Sequence, residues 1–315
     1  MTDGAWHSSV LLENAMRWLR VLPEGTYLDA TVGAGGHTEA IARRLSTGIV
    51  IGMDRDHTAL DIARRRLEPL RDRVRLVHGA FADVNAALAD AGVPALDGVL
   101  ADLGVSSMQF DAPGRGFSFA SDAPIDMRMD GDAPLDARTL LKRSSEAEIA
   151  RILFEYGEER HARRIAREIV TLRESGAELT GRALADAVRR AIPKREWAAS
   201  RIDPATRTFQ AIRIAVNDEL GQIEAFLPAA ARRCKPGARL VVISFHSLED
   251  RIVKSTFRRW ATVETDPITG RPVGEPFARI LTKKPEIADE DEVRENPRAR
   301  SAKLRAVEIV GGRAA

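Results

Sequence analysis

The feature that most constrains this chain is an alternation in its first hundred residues: short β-rich runs, each followed by a segment with apolar residues at three- and four-residue spacing. Such a pattern predicts an α/β fold in which a parallel sheet is covered by crossover helices. The expected strands are Tyr27 to Ala30, Ile49 to Met53, Val74 to His78 and Gly98 to Ala101, with helices from about His37 to Leu45, His57 to Leu70 and Asp83 to Ala91.

After Asp102 the alternation stops, and Gly, Pro, Ser and Asp dominate from Gly104 to Pro134. A stretch that long and irregular is expected to be functional. Helical periodicity returns with the capping-box spacing Ser145-Glu146-Ala147-Glu148 and continues through Ile149, Ile152, Leu153, Tyr156, Ile165, Ile169 and Leu172. The α/β pattern then resumes with a helix from about Asp218 to Cys234, a Lys235-Pro236-Gly237 turn, a strand from Arg239 to Ile243, a helix from Leu248 to Trp260 and a last strand from Leu304 to Val310. The expected organisation is a discontinuous core, 1–135 and 207–315, interrupted by a helical insertion over 136–206. At 315 residues and 44% apolar side chains the chain is long enough for both.

The segment Leu28-Asp29-Ala30-Thr31-Val32-Gly33-Ala34-Gly35-Gly36-His37 ends a strand, turns on glycines and starts a helix. Bare backbone beside a helix N-terminus admits a ligand closely. Asp54 ends the next strand, 19 positions beyond Gly35, where an acid accepts hydrogen bonds from ribose hydroxyls. The spacing Gly33-x-Gly35-Gly36 departs from the dinucleotide fingerprint. Asp29, just ahead of the glycines, would repel a pyrophosphate and suits a cofactor with a cationic amino-acid end, which favours S-adenosylmethionine over NAD. Phe81, beyond the third strand, reads as a flank for an adenine ring or, equally, as core.

Asp102-Leu103-Gly104-Val105-Ser106-Ser107 begins at the carboxyl end of the fourth strand, on the rim where open α/β sheets bind ligands. The exocyclic amine of cytosine is a poor nucleophile because its lone pair is delocalised into the ring. Acceptors on its N–H groups localise that pair, and a carboxylate can take the released proton. Asp102 is the candidate acceptor, with Ser106 or Ser107 as helper; a helix cap or a contact to cofactor alone is the competing reading. His246, in Ser244-Phe245-His246-Ser247-Leu248-Glu249-Asp250-Arg251, also falls on the rim, either orienting substrate or sitting in an ordinary helix start. Methylation at carbon 5 of a pyrimidine needs a thiolate, and the one cysteine, Cys234, sits at a helix end far in sequence from the rim. There is no Gly-x-Ser-x-Gly elbow for a serine hydrolase, and the six histidines are scattered without ligand spacing, so no metal is expected.

A single cysteine excludes a disulfide framework within the chain and fits a reducing, cytoplasmic setting. The first residues do not read as a signal peptide, and no run approaches the roughly 18 apolar residues of a membrane span. The net charge of +2 decides little, but basic residues cluster locally: Arg182, Arg189, Arg190, Lys194, Arg195 and Arg201, then Arg294, Arg298, Arg300, Lys303 and Arg305. Such clusters neutralise phosphates or form solvated faces. Trp197, Phe117 and Phe119 read as stacking platforms for unpaired bases or as anchors in the core.

The motifs resemble those of the bacterial small-subunit ribosomal RNA cytosine-N4 methyltransferases, of the type called MraW or RsmH. The match runs over almost the whole sequence, through His7-Ser8-Ser9-Val10-Leu11-Leu12-Glu13, Gly33-Ala34-Gly35-Gly36-His37, Asp54-Arg55-Asp56, Asp102 to Ser107, Arg115-Gly116-Phe117-Ser118-Phe119, Asp126-Met127-Arg128-Met129-Asp130, Tyr156 to Arg160, Arg207-Thr208-Phe209-Gln210-Ala211, Ser244 to Arg251 and Glu295 to Ser301. Met108 stands where many relatives carry proline. The resemblance implies a Rossmann-like S-adenosylmethionine-dependent methyltransferase sheet with an inserted all-helical domain. It implies cofactor contacts at Gly35, Gly36, His37, Asp54, Phe81, Asp102 and Gln109. It also implies methylation of a decoding-centre cytidine on an assembled small subunit, with the insertion helping to recognise RNA. Ribosomal RNA in the small subunit is the expected partner, no membrane is expected, and a homodimer is allowed. Three other readings stay open: a small-molecule methyltransferase in which the insertion is a lid, a non-catalytic RNA-binding assembly factor that keeps the cofactor fold, and a dinucleotide oxidoreductase.

Overall fold

The computed structural model describes residues 9–105, 114–198, 203–266 and 268–311. Contacts divide the chain into two compact units, Met1–Gly104 with Leu220–Ala315, and Val105–Glu219.

The first unit is built on seven strands, β1 Thr26–Asp29, β2 Ile49–Asp54, β3 Val74–His78, β4 Leu96–Asp102, β5 Cys234–Ser244, β6 Ala278–Ile280 and β7 Lys303–Ile309. They form one sheet in the order β3-β2-β1-β4-β5-β7-β6, in which β3 to β5 run parallel and β7 is antiparallel to both neighbours. This is a Rossmann-like α/β sheet. Its central strands are buried on both faces, which is why β4 reads as Leu-Asp-Gly-Val-Leu-Ala-Asp rather than as an apolar-polar alternation. Successive strands step outward from β1 to β3 and then return to β4 on the other side of β1. That reversal opens a crevice at the carboxyl ends of β1 and β4, the place where open sheets of this kind take ligands.

The helices are α1 Leu12–Leu19, α2 Gly36–Ala42, α3 His57–Leu67 and α4 Val84–Asp90 before the second unit, and α11 Glu219–Arg233, α12 Ser247–Ala261 and α13 Glu290–Glu295 after it. Helix α1 was not predicted. It enters through Leu11 and leaves through Arg20, both in the left-handed region, with no capping side chain at its start, so the usual signals are missing. The expected Lys235-Pro236-Gly237 turn is instead part of β5: the register jumps from Leu96↔Cys234 to Gly98↔Arg239, so these residues bulge out of a continuous strand.

The second unit is helical, with α5 Ala137–Arg143, α6 Glu146–Gly157, α7 Ala162–Glu174, α8 Gly181–Ala191, α9 Lys194–Ala198 and α10 Ala205–Asn217. Ser145 and Glu148 close the capping box that the sequence spacing suggested. The unit begins at Val105 and ends at Glu219, wider than the 136–206 read from periodicity. The reason is packing: Phe117, Ile125, Met127 and Met129 from the irregular stretch, and Phe209 and Ile212 from α10, are buried in the same core as Ile149, Leu153, Ile165 and Leu184. Asn217 fastens the irregular stretch to α10, donating to Met127 O at 2.7 Å and accepting from Met129 N at 2.8 Å. No helix among the described residues is long and apolar enough to cross a membrane.

Candidate active site

The tips of β1, β2 and β4 converge on the glycine turn, and three carboxylates end those strands: Asp29, Asp54 and Asp102. Asp54 accepts from Gly33 N at 2.8 Å through Oδ2 and from Asp56 N at 2.9 Å through Oδ1, so it ties the turn to the tip of β2. Gly35 adopts φ +85° ahead of α2, a conformation in which any side chain is strained. Gly36 meets a different demand. A Cβ there would lie 2.0 Å from Ser9 Oγ, so the N-terminal segment packs closely against this glycine.

Asp29 is fully buried and faces inward, accepting from Thr38 Oγ1 at 2.6 Å and from Thr31 N at 3.2 Å. The expectation that it meets the cationic end of a cofactor is corrected by this geometry: it braces the turn from beneath. Burial pushes its carboxyl up to about 6. Relative to an unfolded value near 3.8, the native state then binds a proton more strongly, so the stability this group contributes in acid is lost as pH rises through about 6. A rise of that size is worth about 3 kcal/mol. Asp29→Asn, which keeps one acceptor and removes the ionisation, is therefore expected to gain about 3 kcal/mol on the natural chain between pH 3 and pH 7. Urea unfolding at the two pH values measures it; a difference that does not change with pH would contradict it.

Asp102 sits at the switch point. Its backbone N–H donates to Thr31 Oγ1 at 2.6 Å, and Leu103 N donates to Ile243 O at 2.9 Å, fixing the end of β4 against its neighbours. Carboxyl Oδ1 is buried and has no hydrogen-bond partner among the described residues, which is costly for a group in a native fold unless a ligand answers it. Burial, then the charges of Asp29 and Glu249, hold this carboxyl well above the usual range. Oδ2 lies 3.7 Å from Nδ1 of His37, a buried residue on the first turn of α2.

The other expected residues fall as follows. Phe81 lies beyond β3, half-buried and edge-on to Phe226 at 5.4 Å between centroids, so at least part of its ring packs on the core. His246 is the N-cap of α12, with its Nδ1 3.4 Å from the Glu249 N–H, while Glu249 accepts from Phe245 N and His246 N. Ser106, Ser107, Met108, Gln109 and Arg201 lie outside the described residues. Cys234 is at the amino end of β5, opposite the strand tips, and burial pushes its thiol up to about 12, so it is not a nucleophile at neutral pH.

Of the basic clusters, Arg182 pairs with Asp122, Arg189 with Asp186 and Asp203, and Arg190 with Glu168. Lys194 and Arg164 line a pocket of about 680 Å³ with Arg189 and Arg190, all within the helical unit. Near the end of the chain, Arg305 is buried against Asp250 at 2.6 Å, so it is a structural cation and not part of a basic surface. Phe117 is buried, and Phe119 stands edge-on to Phe209 at 4.7 Å, so both anchor the helical unit. The sequence reading did not single out Thr31 and Thr38, whose hydroxyls place two of the three acids; lone threonines carry no signal of that kind.

Residues 4–310 match the sequence profile of the MraW methylase family. The chain is 52% identical to the ribosomal RNA small subunit methyltransferase H of Pelobacter propionicus, over 97% of this chain and 99% of that one. It is likewise 52% identical to the protein of that name in Sorangium cellulosum, over 98% of this chain and 92% of the other. The corresponding Geobacter sulfurreducens protein is 50% identical, over 96% and 98%. With half of its residues shared across nearly the full length of such relatives, the chain belongs to the MraW methylase family.

Proposed function

We propose that this chain methylates the N4 exocyclic amine of a cytidine in small-subunit (16S) ribosomal RNA, near the decoding centre, with S-adenosylmethionine as donor. The observation that carries the reading is the buried, unanswered Oδ1 of Asp102 at the switch point of the sheet. The names of the relatives support the rRNA substrate.

The residues at the strand tips fit the donor. Asp54 keeps lone pairs for ribose hydroxyls beyond the two backbone bonds it accepts, Gly35 as N-cap with Gly36 and His37 on the first turn of α2 offers the close approach, and Phe81 borders the adenine side. Gln109 is assigned to the same site by family resemblance. When bound, the donor supplies an electrophilic methyl group on a sulfonium. Asp102 Oδ1 accepts a hydrogen bond from the amine, which draws the nitrogen lone pair out of the ring and toward the methyl carbon. The N–C bond forms as the C–S bond breaks, the electron pair stays on sulfur, and the amine proton passes to Oδ1. His246 caps the start of α12 through Nδ1, and its buried Nε2, without a hydrogen-bond partner among the described residues, is proposed to orient the substrate from the same rim. Attack by carbon 5 would need a thiolate, and Cys234 supplies none at the rim.

The helical unit is proposed to hold the RNA, through phosphate contacts at the Lys194 and Arg164 pocket. A cytoplasmic setting follows from that substrate. A homodimer belongs to the same proposal and is read from the mass of the purified chain by light scattering. The test of function is mass mapping of nucleosides from 16S RNA of cells with and without the gene. One N4-methylcytidine that disappears with the gene is expected, and an unchanged map would remove the proposal.

A further inference from the structure

His37 holds a place that contact with a donor alone does not explain. It is buried on the first turn of α2, its Nε2 is 3.1 Å from Val10 O, and its Nδ1 faces Asp102 Oδ2 at 3.7 Å. A backbone carbonyl can only accept, so Nε2 carries the proton, and a neutral ring then has a bare Nδ1. The carbonyl is itself pinned. Leu11 N donates to Glu292 Oε1 at 2.5 Å, and Ser9 packs into the space left by Gly36. Two contacts on either side of Val10 thus fix which nitrogen of His37 is protonated.

Burial keeps the ring neutral, pushing it down to about 4, with Arg66 adding repulsion. The charged groups facing the pair are Arg66 from α3, Asp29 from β1 and Glu249 from α12, with Asp54 behind Asp29. A bare Nδ1 opposite an ionised carboxylate would set two lone pairs against each other. A protonated Oδ2 makes the same approach attractive, with a proton on Oδ2 facing the lone pair of Nδ1 across 3.7 Å.

We propose that His37 is the proton partner of Asp102: its bare Nδ1 shares a proton with Oδ2, leaves Oδ1 as the acceptor offered to substrate, and receives that shared proton during transfer. The catalytic half of this rests on the function proposed above. As the N–C bond forms and the C–S bond breaks, the amine proton arrives at Oδ1 and the proton of Oδ2 moves to Nδ1. The imidazolium then carries the positive charge that the sulfonium loses, so the buried site holds the same net charge before and after.

The first test needs no ligand. The chain labelled with ¹⁵N in its histidines, with His37 assigned by comparison with His37→Gln, is expected at pH 7 to show a protonated Nε2 and an unprotonated Nδ1. A proton found on Nδ1 overturns the proposal and leaves the methyl-transfer reading standing. The second test uses two variants. His37→Gln loses the acceptor beside Oδ2, whereas His37→Asn keeps one there that cannot take up a proton. At saturating S-adenosylmethionine both are expected to lose about 100-fold or more in turnover, and calorimetric binding of the donor, measured beside it, reads any loss of the His37 contact to the donor separately. Turnover by His37→Asn within a few-fold of the natural rate would reduce His37 to a hydrogen-bond acceptor and overturn the proton transfer.

Discussion

Asp102→Asn is expected to lower methyl transfer by about 10²–10⁴-fold, the range usual for a positioned proton acceptor. The substitution keeps the shape of the side chain and the backbone bond to Thr31 Oγ1, so the end of β4 stays where it is. What it removes is the only basic function at the orphan Oδ1 position. Single-turnover transfer to small-subunit RNA, read beside calorimetric binding of the donor, separates the two effects. Normal donor binding with a full transfer rate would take Asp102 out of the chemistry.

Arg305→Ala is expected to cost about 3 kcal/mol of stability, because it takes both hydrogen bonds from a carboxylate that is itself nearly buried and leaves it, among the described residues, only the more distant Lys303 Nζ at 3.9 Å. Arg305 donates to both oxygens of Asp250, at 2.6 and 3.1 Å, with side-chain exposures of 9% and 13%. The pair ties β7 to α12 behind the strand tips. Replacing Asp250 as well is expected to recover part of the loss, since no uncompensated charge then remains. A loss below about 1 kcal/mol in urea unfolding, together with weakened RNA binding, would contradict this and restore Arg305 to a nucleic-acid surface.

That residue marks the limit of what the sequence disclosed. A run of cations at residues 294–305 looks the same on paper whether it meets phosphate or a buried acid, and only the fold sets Asp250 beside Arg305. The sheet was legible because parallel strands buried on both faces leave apolar runs that glycine turns punctuate; β3 matches its expected bounds. Helix α1 was not legible, since neither end carries a capping side chain. The limits of the helical unit escaped for a related reason: Phe117, Ile125, Met127 and Met129 have no period, and their shared core appears only in three dimensions. At the candidate site the spacing pointed to Asp54 and Asp102. It gave Asp29 the wrong task, because an acid before a glycine turn does not reveal whether it faces a ligand or, as here, two threonines.

The central claim is that a sulfonium donor lies across the tips of β1 and β2. Calorimetric titration of the purified chain with S-adenosylmethionine tests it most directly. One-to-one uptake is expected, weakened by about tenfold or more in Asp54→Ala, which is about 1.4 kcal/mol. No heat of binding from S-adenosylmethionine or from its demethylated product would contradict it.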